Sequence, residues 1–215
     1  MLLSEKEFHH TLDLMEPESG RLPDPVLKGL DDWCQKSIGI RVYDYFCGCT
    51  RGGRLRVKIV LWDQNAKKKV MKGPNFDEKK QKNFAGKFTE LSRKYQLNRD
   101  YQNESRLFIC YDTIRDQLQH QILEMAGKEL LLFAGAPDVW KLYIHFTRIH
   151  IFYETEEQVR IHEADGQNRI LQEKCAGVLK QYDVHQAFAD VQPCIFTSRQ
   201  TLDDQYEGSM FLYTR

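Results

Sequence analysis

Cys47 and Cys49, with Cys34 upstream, are the first residues in this chain whose type and spacing invite chemistry, because grouped thiolates can hold a metal ion. A structural zinc site needs two or more residues between paired cysteines and a second pair further on. Neither is present, so these read as cysteines at the end of a strand. His145 and His150 fall five apart in one apolar run, and on a single strand such residues point to opposite faces and cannot share a metal. His9 and His10 are neighbours on a helix and diverge. The histidines are expected to be buried or interfacial, and no metal or cofactor is expected.

Nucleophilic chemistry leaves no better trace. The chain has no Gly-x-Ser-x-Gly turn, and Gly48, Gly52 and Gly53 are not followed by the Lys-Ser or Lys-Thr of a phosphate-binding loop. Cys110 and Cys194 each lie on a short strand pattern and read as structural thiols. No catalytic residue is assigned. The six cysteines are spread over apolar patterns, and the start MLLSEKEFHH reaches charged residues after three positions, so no signal peptide, reduced thiols and a cytoplasmic location are expected.

Charge is more informative. Lys and Arg balance Asp and Glu at 31 each, yet residues 1–107 carry 21 basic against 15 acidic groups and residues 108–215 carry 10 against 16. The basic half offers Arg54, Arg56, Lys58, Lys67, Lys68, Lys69 and Lys72 as a nucleic-acid-binding set, although the exposed aromatics that stack on bases are missing from it apart from Trp62. In the acidic half, Glu154, Glu156 and Glu157 follow one strand while Asp203, Asp204 and Glu207 occupy a turn near the end. Tyr153 and Tyr206 flank them. Tyrosine beside carboxylates suits docking of a basic protein. With a large core and no catalytic set, the first expectation is an intracellular, non-enzymatic protein-binding or inhibitory module, such as a bacterial-type immunity protein that neutralises a basic toxin. A nucleic-acid-binding or nucleic-acid-processing protein is the alternative.

The elements that must position these groups follow from periodicity. Ser4 and Glu7 form a capping box for a helix carrying Phe8, Leu12 and Met15, and Asp24 with Pro25 starts a second that buries Leu30 and Trp33. Strand patterns at 38–46 and 54–62 make a hairpin, with Ile40 and Val42 inward. The lysine run at 67–72 reads as loop or strand end. Asn75 and Glu78 open a helix burying Phe84, Phe88, Leu91 and Tyr95, and a strand follows at 106–111. Asp112 then caps a helix that ends at Gly127.

Residues 139–153, VWKLYIHFTRIHIFY, are apolar on both parities and read as one long central strand. Thr155 and Gln158 box a short helix that breaks at Gly166, and a second helix runs to Tyr182 on the line Leu171, Cys175, Val178 and Tyr182. Strands at 194–197 and 209–213 flank the last polar turn. Shifting the chain by 87 positions lays Leu55 on Leu142 and the 84–95 helix line on 171–182, which suggests two similar hairpin-helix-strand halves. The fold class is therefore α+β, with mostly antiparallel sheets covered by helices. An N-terminal helical segment (1–37) and two halves (38–127, 128–215) are expected within one globular unit. No stretch is long and apolar enough to be a membrane span.

Overall fold

Ser4 opens the first helix through reciprocal bonds: Glu7 N–H donates to Ser4 Oγ at 3.4 Å, and Ser4 N–H to the Glu7 carboxylate at 2.9 Å. From there the structure, a computed structural model, describes residues 3–215, which divide into two units, the first running up to Arg115 and the second from Asp116 to Arg215.

The first unit holds α1 (Glu5–Met15), α2 (Pro25–Ser37), β1 (Asp44–Cys49), β2 (Leu55–Leu61), α3 (Gln64–Lys68), a small ribbon of β3 (Met71–Lys72) and β4 (Asn75–Phe76), α4 (Glu78–Lys94) and β5 (Leu107–Thr113). β1 and β2 are an antiparallel hairpin, and β5 lies parallel to β2 after the α4 crossover. One face of this sheet, with Val57, Ile59, Ile109 and Tyr111, packs on Leu30 of α2 and Phe84 and Phe88 of α4 in a continuous core. The helices approach closely where α2 has Gly29, whose added Cβ would stand 2.7 Å from a methyl of Leu91.

The second unit holds most of α5 (Arg115–Leu131), then β6 (Val139–His145), β7 (Arg148–Tyr153), α6 (Glu156–Ala164), α7 (Gln167–Tyr182), β8 (Cys194–Ser198), α8 (Arg199–Tyr206) and α9 (Met210–Tyr213). Again two strands form an antiparallel hairpin, and the third, β8, returns through helices to pair in parallel with the second. The α+β class and the mostly antiparallel sheets are as expected. The repeat exists at the level of topology, but its strand register differs from the sequence shift. Leu55 faces Leu107 and Ile149 faces Cys194, so Leu55 corresponds to Ile149 rather than Leu142.

Several local expectations fail for identifiable reasons. The run 139–153 is a hairpin, not one strand: Phe146 takes a φ of 51° between paired His145 and Arg148, and HFTR lacks the Gly, Asn or Asp that usually announces such a turn. The first strand starts only at Asp44, since the Val42 N–H is taken by Asp31 Oδ1 at 2.8 Å; Ile40 and Val42 are nonetheless buried. Part of the lysine run is helical because Asp63 caps α3 through the Ala66 N–H. Asp77, not Asn75, caps α4, and Tyr95 is its exposed C-cap. β5 includes Asp112 because Ile114 and Arg115 N–H groups go on bonding to Leu61 and Trp62 carbonyls. α5 then passes through Gly127, which lacks a positive φ, and its Met125 is exposed. Leu179 replaces Val178 on the buried line of α7. The C-terminal turn and strand are helices: Ser198 caps α8, Glu207 and Gly208 take left-handed backbone, and Ser209 caps α9. The capping boxes at Ser4 and Thr155, the break at Gly166 and the strand at 194–197 occur as read.

Candidate functional site

In the second unit, the end of β7 and the start of α8 are tied together, which gathers part of the acidic set. Gln200 N–H donates to the Glu154 carbonyl at 3.2 Å, and Thr201 Oγ1 donates to Glu156. Arg199 lies 3.6 Å from both Glu154 and Asp203, and its guanidinium sits over the Trp140 ring at 5.2 Å. Trp140 is 37% exposed. Glu157 is exposed beside Arg160, while Asp204 and Glu207 lie exposed on and just past α8. Tyr206 is half-buried against Tyr213. Tyr153 does not join this surface: it is fully buried, and its hydroxyl donates to Asn168 Oδ1 at 2.7 Å. Trp140 and Arg199 are the members that sequence reasoning missed. Their signal was a Trp and an Arg at opposite ends of two segments that only the sheet brings together.

The seven basic candidates are not gathered into one surface. Arg54 precedes β2 and donates to the Leu107 carbonyl at 3.3 Å, whereas Lys68 and Lys69 close α3 past the far end of that strand, roughly 20 Å away for seven residues of extended chain, and Lys72 lies on the β3–β4 ribbon. Arg56 is half-buried. Lys58 is 5% exposed and lies between two carboxylates, Glu7 at 2.8 Å and Asp112 at 3.5 Å; Lys67 is 3.9 Å from the same Asp112.

That arrangement belongs to a polar network on the outer face of the first sheet. Asp44 of β1, Lys58 of β2 and Asp112 of β5 share the face, and all three are buried, with α1 supplying partners. His10 Nδ1 donates to Asp44 Oδ2 at 2.7 Å, Thr11 Oγ1 to the same oxygen at 2.9 Å, and the Tyr45 N–H to Oδ1 at 2.7 Å. Burial pushes the Asp44 carboxyl above the usual carboxylate range, against the lowering from His10 and Thr11. Burial also raises Glu7, but the bonds from Lys58 and Ser4 outweigh it and leave this carboxyl below its ordinary value. The available signal was an acidic residue in or just past each strand pattern flanking that of Lys58, namely Asp44 and Asp112.

Among the described residues no group of three or more His, Cys, Asp or Glu side chains could hold a metal, and no helix is long and apolar enough to cross a membrane. The hairpin does put His145 and His150 on one face, since Tyr143 pairs with His150 and stacks beside His145. The opposite-face reading is thereby corrected. His162 is held between Asp138 at 3.0 Å and Asp165 at 3.2 Å. No protein-family model, curated protein or solved structure matches this chain.

Proposed function

We propose that the second unit is a protein-docking module that engages a basic partner through the patch built on Trp140 and Arg199, with Glu154, Glu156 and Asp203 around them. The observation that carries this is the placement of Arg199, at once over an exposed indole and between two carboxylates. Trp and Arg dominate the energetics of protein interfaces, and a rim of one charge sign steers the encounter and excludes wrong partners. The unit carries 9 Lys and Arg against 15 Asp and Glu, which supports a basic partner. Inhibition of a basic toxin by an intracellular immunity-type protein is the kind of role such a surface serves. The nucleic-acid reading has less support, because Lys58 and Lys67 already face Asp112.

Calorimetry tests the proposal, with the basic protein that co-purifies stoichiometrically from source cells titrated into wild type, Trp140→Ala and the Glu154→Lys/Asp203→Lys pair. Each variant is expected to weaken binding by about 30-fold or more, the scale of a hot-spot loss. Unchanged affinity in both variants, or self-association of the chain with no other partner, would replace it.

A further inference from the structure

A cavity of about 560 Å3 in the first unit is bounded by α1, the segment before α2, and β1. This is the size range of small-molecule sites. Its carboxylates are already engaged by the protein itself. Asp24 accepts from the Val26 and Leu27 N–H groups through one oxygen and from the Tyr45 hydroxyl through the other; Glu7 accepts from Ser4 and Lys58; Asp44 accepts from His10, Thr11 and the Tyr45 N–H. The groups left over are donors. Lys6 is exposed with no ion-pair or hydrogen-bond partner among the described residues, and Arg21 pairs with Asp13 through Nη1 only. His10 is held through Nδ1 by a carboxylate that is 3% exposed, which leaves its Nε2 edge open.

We propose that this cavity binds the phosphate group of a small phosphate monoester, with Lys6, Arg21 and His10 Nε2 as its three donors. Asp44 acts as a positioning residue: bonded to Nδ1, it fixes the orientation of the ring. A planar carboxylate offers two acceptor oxygens, whereas a terminal phosphate offers three together with a second negative charge, matching three nitrogen donors that come from α1 and from the segment before α2. Leu14, Leu27 and Phe46 line the remaining wall and suit an apolar or aromatic body on the ester. A nucleic-acid backbone is a diester with a single charge per phosphate and needs an open groove.

Proton–nitrogen NMR of the His10 ring and of the backbone amides, recorded on the full chain, tests this with four probes: phenyl phosphate, inorganic phosphate, acetate and a short oligonucleotide. Phenyl phosphate is expected to give saturable shifts at His10 and at residues of α1, with inorganic phosphate binding more weakly and acetate weaker still. Lys6→Gln and Arg21→Gln change exposed groups and should each weaken phenyl phosphate by about tenfold, the loss of one charge-assisted hydrogen bond. No saturable shift with any probe, equal or tighter binding of acetate or the oligonucleotide, or unchanged affinity in the two variants would overturn the proposal. None of these outcomes bears on the docking surface, which lies in the other unit.

Discussion

The two sheets share one topology and spend it differently. Counted from the residues paired at the start of each parallel ladder, Lys58 and Phe152 occupy the same place on the middle strand. Around Lys58 the outer face is a buried ionic network roofed by α1. Around Phe152 it is aromatic, with Trp140 at 6.0 Å and Tyr213 of α9 at 5.3 Å between ring centroids. A buried ion network and an apolar cluster can hold a helix to a sheet about equally well, but they fail differently. Removing one charge strands its partners in a low-dielectric interior, whereas trimming an aromatic ring leaves a cavity that neighbours partly fill.

Lys58→Met therefore has the largest expected effect, about 3–5 kcal/mol, because Glu7 and Asp112 both lose the ammonium between them. At the matching position Phe152→Leu is expected to lose only about 1.5 kcal/mol. Urea unfolding of both variants checks the pair, and equal losses would break the comparison.

Acid should separate the two faces next. Burial, then the nearby His145 and Arg148, holds His150 down at about 4 from its ordinary 6.5, and its neutral Nδ1 accepts from the Tyr213 hydroxyl at 2.8 Å. Between those two values the unfolded chain binds a proton that the native unit refuses. The stability tied to His150 is thus complete above pH 6.5 and falls by about 2 kcal/mol on acidification to pH 4, discounted for the screening that reaches a group 8% exposed. Comparing the urea midpoints of wild type and His150→Gln at pH 7.5 and 4.5 isolates this part, and the variant should show the shallower drop.

The smallest effect sharpens the contrast on the inner faces. Tyr153 stands where the first unit has Ile59, and Tyr153→Phe removes a buried hydroxyl from Asn168 at an expected cost of about 1 kcal/mol. Thermal unfolding of this variant should show a small drop in midpoint, and a midpoint at or above wild type would mean that Asn168 finds another donor.

What could be read from the chain alone was what local chemistry encodes. Ser4–Glu7 and Thr155–Gln158 name their own helix starts, Gly166 ends one, and Phe84, Phe88 and Leu91 mark a buried face because helical spacing is a local property. The hairpin at Phe146 was hidden because a phenylalanine there adopts a backbone that favours glycine, with its carbonyl accepting from His120 Nδ1 at 3.1 Å. The helices at 199–213 were hidden because their polar residues match turn chemistry equally well, and the capping bonds from Ser198 and Ser209 decide the matter. Of the candidate sites, the acidic side chains were legible as charge. The indole and guanidinium that organise them were not, since only pairing of β6 with β7 and of β7 with β8 brings Trp140 to Arg199.

The docking role of the second unit is tested most directly by placing a photo-reactive phenylalanine analogue at position 140, and separately at exposed position 72 of the first unit, in source cells. The account predicts one basic protein joined covalently at position 140, released by Asp203→Lys, and absent at position 72. The same product at both positions, or none at 140, would contradict it.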